Sequence, residues 1–460
     1  MRSVCVYVLA TVAALVGSAA RGAGPDVIVG ELYQLTAYEP VAGVGAYSLG
    51  TVSCNIGNAQ LLWIPNTNQH PVIAQSLYRV KDGRIEQLGM SWLKHAYTST
   101  NGNFCNTCFN PGSFQRLGIG CSDPYTGPIN GDQWSLGPRS EVNAFTGVFA
   151  FPFGLGWQQS GTTIFKRIQV AQTGLDPAQN AGALYFAEAQ YITADDAQSG
   201  NGLNNASYRR FTVGAFNNGI WPLTFVESTQ QTKPVIYAWR ERTGGVSADD
   251  DTSVTITPVD IPGEGRLFLG SKVTDLGGGQ WRYDYAIQNL NSHRSAGALS
   301  IPVGVGTVVS QTSFSGVAYH SGEPFSSAPW DVAASAGVLT WACVPHATDP
   351  NANALRWGTL YSYRFIADRP PTTGTVSIGL FRPGSPSSVD VVAPVPTPPP
   401  PPACGGDANG DLVVNGADLS VLLGQFGAAV TPGAGADFNN DGTVNGADLS
   451  VLLGRFGESC

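Results

Sequence analysis

The sequence has little charge, only two methionines and five histidines, and few long apolar runs. Charged side chains make up 12% of its 460 residues, against about a quarter in an average soluble domain, and the formal net charge is −9. This acidic balance argues against nucleic acid or an anionic membrane surface as a main partner. After the N-terminus, no stretch approaches the about 18 uninterrupted apolar residues of a membrane-spanning helix. The ordinary apolar fraction of 43% still permits sizeable cores, which excludes wholesale disorder.

The first 23 residues have the pattern of a secretory signal peptide. Arg2 supplies the positive start, Val4–Val16 is a short apolar run, and Gly17–Ala20 is a small-residue cleavage site. The apolar run is shorter than the about 20 residues that cross a bilayer. We therefore expect a secreted, extracellular protein with no transmembrane segment in the mature chain. Attachment to the cell surface by another means stays open.

A proline-rich segment separates the end of the chain from the rest. Ala393–Pro402 contains seven prolines in ten residues, which favours an extended polyproline II spacer of about 30 Å. We interpret residues 393–402 as a linker between a body, residues 24–392, and a C-terminal module, residues 403–460.

The C-terminal module contains two twelve-residue segments whose spacing of oxygen-bearing side chains is typical of calcium loops. The predicted ligands are Asp407, Asn409, Asp411, the carbonyl of Val413, Asn415 and Asp418 in the first loop, and Asp437, Asn439, Asp441, the carbonyl of Thr443, Asn445 and Asp448 in the second. The sixth place favours glycine for its sharp turn, and Gly442 provides it where Leu412 does not. We therefore expect the second loop to be the better formed. Each loop continues into Leu-Ser-Val-Leu-Leu, an apolar stripe consistent with a short helix.

The acidic residues are concentrated in the same module. Residues 403–460 hold seven acidic side chains and one arginine, and so account for six of the nine net negative charges. Ligand carboxylates packed this closely repel one another without a cation, so we expect the module to be poorly folded without calcium.

These residues resemble the type I dockerin family, whose signature is two Asp-x-Asn-x-Asp loops that end in Asp and lead into Leu-Ser-x-Leu-Leu. The resemblance implies a small α-helical, EF-hand-like module that binds two Ca2+ and docks onto a cohesin-type protein, or serves surface sorting. It places the partner-binding face at Gly416, Ala417, Leu423, Gly446, Ala447 and Leu453. Cys404 and Cys460 frame the module, which is similar to a dockerin variant with its ends joined by a disulfide.

The body alternates short β-like runs with turns rich in Gly, Asn, Ser and Pro. Trp281–Ile287 alternates strictly, as a half-buried strand does. We predict a mostly β protein with two β-rich domains, a disulfide-containing one at 24–245 and a β-sandwich at 262–392, joined through residues 244–261. Only Asp176–Tyr191, which is rich in alanine, has helical character.

Four cysteines of the body form an even set: Cys54, Cys105, Cys108 and Cys121. Two disulfides are the favoured interpretation for an exported protein, while a zinc site or redox chemistry stays open. Cys343 is left over and is interpreted as a buried free thiol. His95, Asp123, Arg139 and Glu141 gather around the cysteines, but a stapled loop whose charges pair with one another explains them more simply than a catalytic site. No catalytic residue is predicted.

The function of the body is open between two classes. A non-enzymatic cell-surface or extracellular component is the first. A glycoside hydrolase or carbohydrate-binding accessory protein of polysaccharide breakdown is the alternative, with polysaccharide as a further partner. No carboxylate pair is singled out by its spacing, and the body resembles no characterised family in its motifs.

Overall fold

A computed structural model describes residues 23–241, 251–396, 405–430 and 433–459. The chain divides into two compact units, one formed by residues up to 302 and 308–396, the other by 303–307 and 397–460. The predicted signal peptide, except for Ala23, and the predicted Cys404–Cys460 disulfide lie outside the described residues.

The first half of the body is built from two large antiparallel sheets and two small two-stranded ones. Its strands are β1 (Val27–Val41), β2 (Val44–Asn55), β3 (Leu61–Leu62), β4 (Val72–Lys81), β5 (Arg84–Met90), β6 (Leu93–His95), β7 (Arg116–Leu117), β8 (Ser122–Tyr125), β9 (Leu136–Gly137), β10 (Val142–Asn143), β11 (Val148–Phe149), β12 (Ile168–Ala171), β13 (Leu184–Ile192), β14 (Ala206–Val213) and β15 (Leu223–Phe225). One sheet has the order β1-β2-β12 with β8 beside β2, and the other has the order β15-β14-β13-β4-β6-β9 with β5 beside β4.

Short helices connect these strands. The α-helices are α1 (Gly127–Asn130) and α2 (Ala194–Gln198), and 3-10 turns cover Gln133–Ser135, Arg139–Glu141, Gln172–Gly174 and Val235–Arg240. The helical character expected for Asp176–Tyr191 is wrong, because β13 occupies the second part of that segment. All nine residues of β13 are buried, so both faces of this central strand pack inside the body and its exposure does not alternate.

The second half of the body is a sandwich of two five-stranded antiparallel sheets. Its strands are β16 (Val254–Asp260), β17 (Arg266–Gly277), β18 (Gln280–Asn289), β19 (Ala296–Pro302), β20 (Val309–Ser315), β21 (Asp331–Ser335), β22 (Val338–Ala342), β23 (Thr359–Ala367), β24 (Pro371–Leu380) and β25 (Ser388–Pro396). The sheet orders are β16-β17-β18-β23-β20 and β21-β22-β19-β24-β25. Trp341 of one sheet packs against Tyr363 and Phe365 of the other, with ring centroids 5.6 and 6.0 Å apart. The predicted mostly β fold with a sandwich is therefore confirmed.

The two halves of the body share a hydrophobic core. Tyr78 and Phe186 from the first half belong to one buried cluster with Phe268 and Leu360 from the sandwich. The N–H of Leu360 also donates to Oε1 of Gln87 over 2.8 Å. Strand β16 lies inside the segment 244–261 that was expected to be a connection, so the sandwich begins before residue 262.

The cysteine set forms two disulfides, Cys54–Cys105 and Cys108–Cys121. The four sulfurs are therefore not available as zinc ligands, and the zinc interpretation is wrong. Cys343 is a free thiol directly after β22, and it is half-buried where full burial was expected. Burial raises the pKa of Cys343 to about 11, which keeps the thiol protonated and unreactive at neutral pH.

The C-terminal module contains the helices α3 (Gly416–Gln425) and α4 (Gly446–Gly454). They pack through a small core of five buried residues, Val414, Leu422, Ala436, Val444 and Leu452.

The segment predicted as a linker starts inside β25, which extends to Pro396. Among the described residues, no helix is long and apolar enough to cross a membrane.

Candidate calcium-binding and docking site

The first loop is held in place by its own carboxylates. Asp407 accepts the N–H groups of Gly410 and Leu412 over 2.7 and 2.9 Å. Asp411 accepts the N–H of Val413 over 2.9 Å. These bonds wind the chain around the side-chain oxygens, which therefore face a common centre.

The second loop repeats this arrangement thirty residues later. Asp437 accepts the N–H of Gly442 over 2.8 Å, as Asp407 does with Leu412. Asp441 accepts the N–H of Thr443 over 2.9 Å, as Asp411 does with Val413. Asp437 accepts two further bonds, from the N–H of Gly433 over 3.0 Å and from the N–H of Asp441 over 3.2 Å. The two loops therefore have equivalent backbone courses, and the sequence repeat is also a structural repeat.

The last ligand position of each loop also starts the following helix. Asp418 accepts the N–H of Asn415 over 2.8 Å while the side chain of Asn415 caps α3, and Asp448 and Asn445 form the same capping box on α4. Asp418 is fully buried and also accepts the N–H groups of Ala408 and Asn409. Its burial acts to raise the pKa of Asp418, but these backbone donors outweigh it, and the pKa is lowered. The carboxylate is therefore held in the charged form that a cation needs.

The carboxylates of the first loop are close enough to share one ion. Asp407, Asp411 and Asp418 each offer an oxygen atom within 4.8 Å of the others, a spacing that no other His, Cys, Asp or Glu group of the described chain achieves. Hard oxygen donors in this number fit Ca2+, with Asn409, Asn415 and the Val413 carbonyl nearby in the loop. By this measure the first loop is the tighter of the two, whereas the second was expected to be better formed.

The backbone of each loop turns twice through the left-handed region. The fourth and sixth positions have positive φ in both loops: +79° at Gly410 and +67° at Leu412, then +59° at Asn440 and +83° at Gly442. Glycine avoids the steric strain of positive φ at the fourth position of the first loop and at the sixth position of the second. Asparagine tolerates this conformation better than leucine, so the second loop has the less strained backbone.

The six residues expected to bind a partner are all exposed. Leu423 and Leu453 are more than half exposed at equivalent positions of α3 and α4. Phe426 and Phe456, which sequence reasoning missed, are exposed by 52% and 51% just beyond them. The signal was present in the repeat, since both copies continue as Leu-Leu-Gly-x-Phe-Gly.

The polar residues near the cysteines of the body do not assemble into one catalytic site. His95 is buried against the ring of Phe153 and lies 3.0 Å from the ring nitrogen of His70. Asp123 accepts the N–H and hydroxyl of Thr100, and Glu141 accepts the indole N–H of Trp157. Arg139 points elsewhere, toward the carbonyls of Ser91 and Gln75. Each of these side chains therefore makes its own local contacts within the body.

Comparison with known proteins identifies the C-terminal module. None of the curated proteins is significantly similar in sequence to this chain. The solved structure of a serine-rich repeat adhesion glycoprotein (Srr1) from Streptococcus agalactiae aligns over 79% of this chain and 97% of its own, with 9% identity and a TM-score of 0.19, which carries no structural argument. Residues 405–456 match the type I dockerin domain family, so the resemblance predicted from the two loops is confirmed for this module.

Proposed function

We propose that this is an exported modular protein whose dockerin module binds two Ca2+ and docks the body onto a cohesin-type protein. The body serves as a non-enzymatic cell-surface or extracellular component. The observation that carries the proposal is the structural repeat of the module. Two loops with equivalent hydrogen bonds each start a helix, with an exposed leucine in its last turn and an exposed phenylalanine just after it.

The first step is the binding of calcium by both loops. The two loops carry equivalent carboxylates, amides and carbonyls in sequence, and the first loop brings three carboxylates together. Each ion offsets the repulsion among these carboxylates and fixes the start of the following helix, because Asp418 and Asp448 belong to both the ligand set and the capping box.

The second step is the docking of a partner on the ordered helices. Leu423 and Phe426 on one half, and Leu453 and Phe456 on the other, leave apolar side chains in solvent. Exposed apolar groups of this kind supply the anchors of protein interfaces. Gly416 and Ala417, like Gly446 and Ala447, are small, so a partner backbone can approach the beginning of each helix closely.

The non-enzymatic role of the body is supported by how its buried carboxyl groups are used. Glu188 accepts bonds from the N–H of Val235 and from Gln288, and Asp196 accepts bonds from the N–H of Val27 and from Asn205. Burial raises the pKa of Glu188 to about 6 and that of Asp196 to about 7. A perturbed pKa often marks a catalytic site, but here the oxygens are occupied by internal donors that hold strands together.

The near-identity of the halves predicts that a partner binds in either of two orientations. The test measures binding of the full chain to an immobilised type I cohesin in calcium. Leu423→Asp and Leu453→Asp should each weaken binding by only a few-fold, because the other half remains, and the double variant should lose it. Val332→Asp, an equally drastic change on an exposed strand of the body, is the control and should bind normally.

Two results would contradict the proposal. Binding that persists in the double variant or in excess chelator would exclude docking through this calcium-ordered face. Release of reducing sugar from a panel of insoluble polysaccharides by the purified chain would replace the non-enzymatic role with the hydrolase alternative, and retention without release would indicate a carbohydrate-binding body.

A further inference from the structure

A small cavity in the body is lined by three arginines. Arg139 reaches it from the 3-10 turn after β9, Arg356 from the loop before β23, and Arg382 from the segment just after β24. His293 and Trp357 complete part of the wall. We call this space the arginine cavity. Like charges repel, so their convergence requires a compensating interaction.

Several nitrogen atoms of these guanidinium groups are buried without an acceptor. Arg139 donates through Nε to the Ser91 carbonyl and through Nη2 to that of Gln75, which leaves Nη1 unpartnered. Arg356 donates only through Nη2, which leaves Nε and Nη1, and Nε of Arg382 also has no acceptor. Arg139 and Arg356 are each 4% exposed. Buried charged donors without acceptors are costly, and an ion that is not part of the protein is a usual explanation.

The nearest carboxylates do not fill this role. Glu323 accepts the backbone N–H groups of Arg139 and Ser140 over 3.0 and 2.8 Å. Glu264 accepts the backbone N–H groups of His293 and Arg294. Within the part of the chain that the structure describes, none of the three guanidinium groups forms an ion pair with a carboxylate.

Aromatic rings hold the arginines without supplying acceptors. The guanidinium carbon of Arg356 lies 4.1 Å from the ring centroid of Phe325 and 4.6 Å from that of Phe381. Burial, and then the charge of Arg382, lower the pKa of His293, which therefore adds no fourth positive charge at neutral pH. The rings contact the face of the guanidinium, and its in-plane N–H groups still require an acceptor.

We propose that the arginine cavity binds a small monovalent inorganic anion of the size of chloride. The cavity has room for about one water-sized sphere, which excludes phosphate and sulfate unless the wall opens. A water molecule also accepts N–H bonds, but it adds no negative charge beside three guanidinium groups, whose nearby carboxylates Glu264 and Glu323 are bonded to backbone N–H groups. An anion satisfies both requirements.

The position of the cavity gives the anion a structural role. Arg139 belongs to the first half of the body, and Arg356 and Arg382 belong to the sandwich. An anion held by both sides joins the halves and binds only the folded body, so it stabilises the native state by mass action. This role is independent of the docking function of the module.

The test compares thermal unfolding of the full chain in chloride and in the bulky anion methanesulfonate, at equal ionic strength and equal calcium. Chloride should raise the unfolding temperature of the body in a saturable way, by about 2 °C or more. R382Q, a change at the half-buried arginine, should abolish that shift. R266Q, which removes a partly exposed arginine paired with Asp260, is the matched control and should keep it.

A second measurement locates the anion directly. Crystals of the unmodified chain soaked in bromide should show an anomalous peak in the arginine cavity, and this holds even if R382Q fails to fold. Water alone in the cavity, bromide only at the protein surface, or a chloride shift that R382Q retains would each overturn the proposal.

Discussion

At the residue scale, the two calcium loops differ most at their sixth position. Leu412 has a φ of +67°, where Gly442 has +83°. A left-handed conformation costs a residue with a Cβ atom about 1–2 kcal/mol, and glycine avoids that cost. The first loop therefore combines the closer carboxylates with the more strained backbone. We therefore expect the turn at Leu412 to limit the affinity of the first loop for calcium.

Leu412→Gly should therefore tighten calcium binding at the first loop. The relief of strain exceeds the extra conformational entropy that glycine gives the unfolded chain, so the expected gain is about 0.7 kcal/mol, or threefold in affinity. Calcium titration calorimetry of the full chain measures it. Val413→Gly, at the neighbouring position where φ is not positive, is the control and should weaken binding. Equal or weaker binding by L412G would show that position six does not limit the loop.

Asp196 makes the stability of the body depend on pH. Burial raises the pKa of Asp196 to about 7, and the unfolded carboxyl ionises near 4. The folded state thus binds its proton more tightly, and stability is lost as the pH rises from about 4 through 7. The side chain that replaces the carboxyl in the variant Asp196→Asn cannot ionise. The free energy of unfolding of the variant, relative to that of the native chain, should therefore be higher at pH 8 than at pH 5 by about 1–3 kcal/mol.

Urea unfolding of both chains at the two pH values checks this expectation. Asp331→Asn, on the exposed strand β21, is the control and should change the free energy of unfolding by the same small amount at both pH values. If the difference in free energy of unfolding between D196N and the native chain is the same at both pH values, the Asp196 carboxyl is already ionised in the folded protein at pH 5.

At the element scale, the sequence predicts what is determined locally. Each calcium loop and its helix cap lie within twelve residues, so ligand spacing alone identified them. The pairing of β4 with β13 joins residues more than a hundred positions apart, such as Val72 and Ile192, and no local pattern specifies it. The cysteine pairing was open for the same reason, since four cysteines allow three connectivities.

Close packing between sheets is another feature that the sequence does not reveal. A Cβ atom at Gly89 of β5 would lie 2.0 Å from the carbonyl oxygen of Gln169 in β12. Gly89→Ala should therefore separate these strands and lower the free energy of unfolding by about 1–3 kcal/mol. Gly174→Ala is the control, because its Cβ would be no closer than 3.7 Å to its neighbours. Denaturant unfolding that finds the two variants equally stable would contradict the close contact.

At the scale of the whole molecule, the two compact units differ in what stabilises them. The body has large buried clusters and two disulfides, which do not depend on calcium. The module has a core of five buried residues, and its folding must overcome repulsion among Asp407, Asp411 and Asp418. A unit this small depends on an added source of stability, which calcium supplies.

Chelation of calcium should therefore unfold the module and leave the body folded. Calorimetry of the full chain in calcium should show separate transitions for the two units, and excess EGTA should remove only that of the module. The double variant Asp411→Ala, Asp441→Ala should reproduce the chelated trace in calcium, because it removes one carboxylate from each loop. Glu458→Ala removes a charge of the module outside the ligand sets and should retain both transitions. If EGTA instead shifts one common transition, the body and the module unfold together, and calcium stabilises the whole molecule rather than its docking module alone.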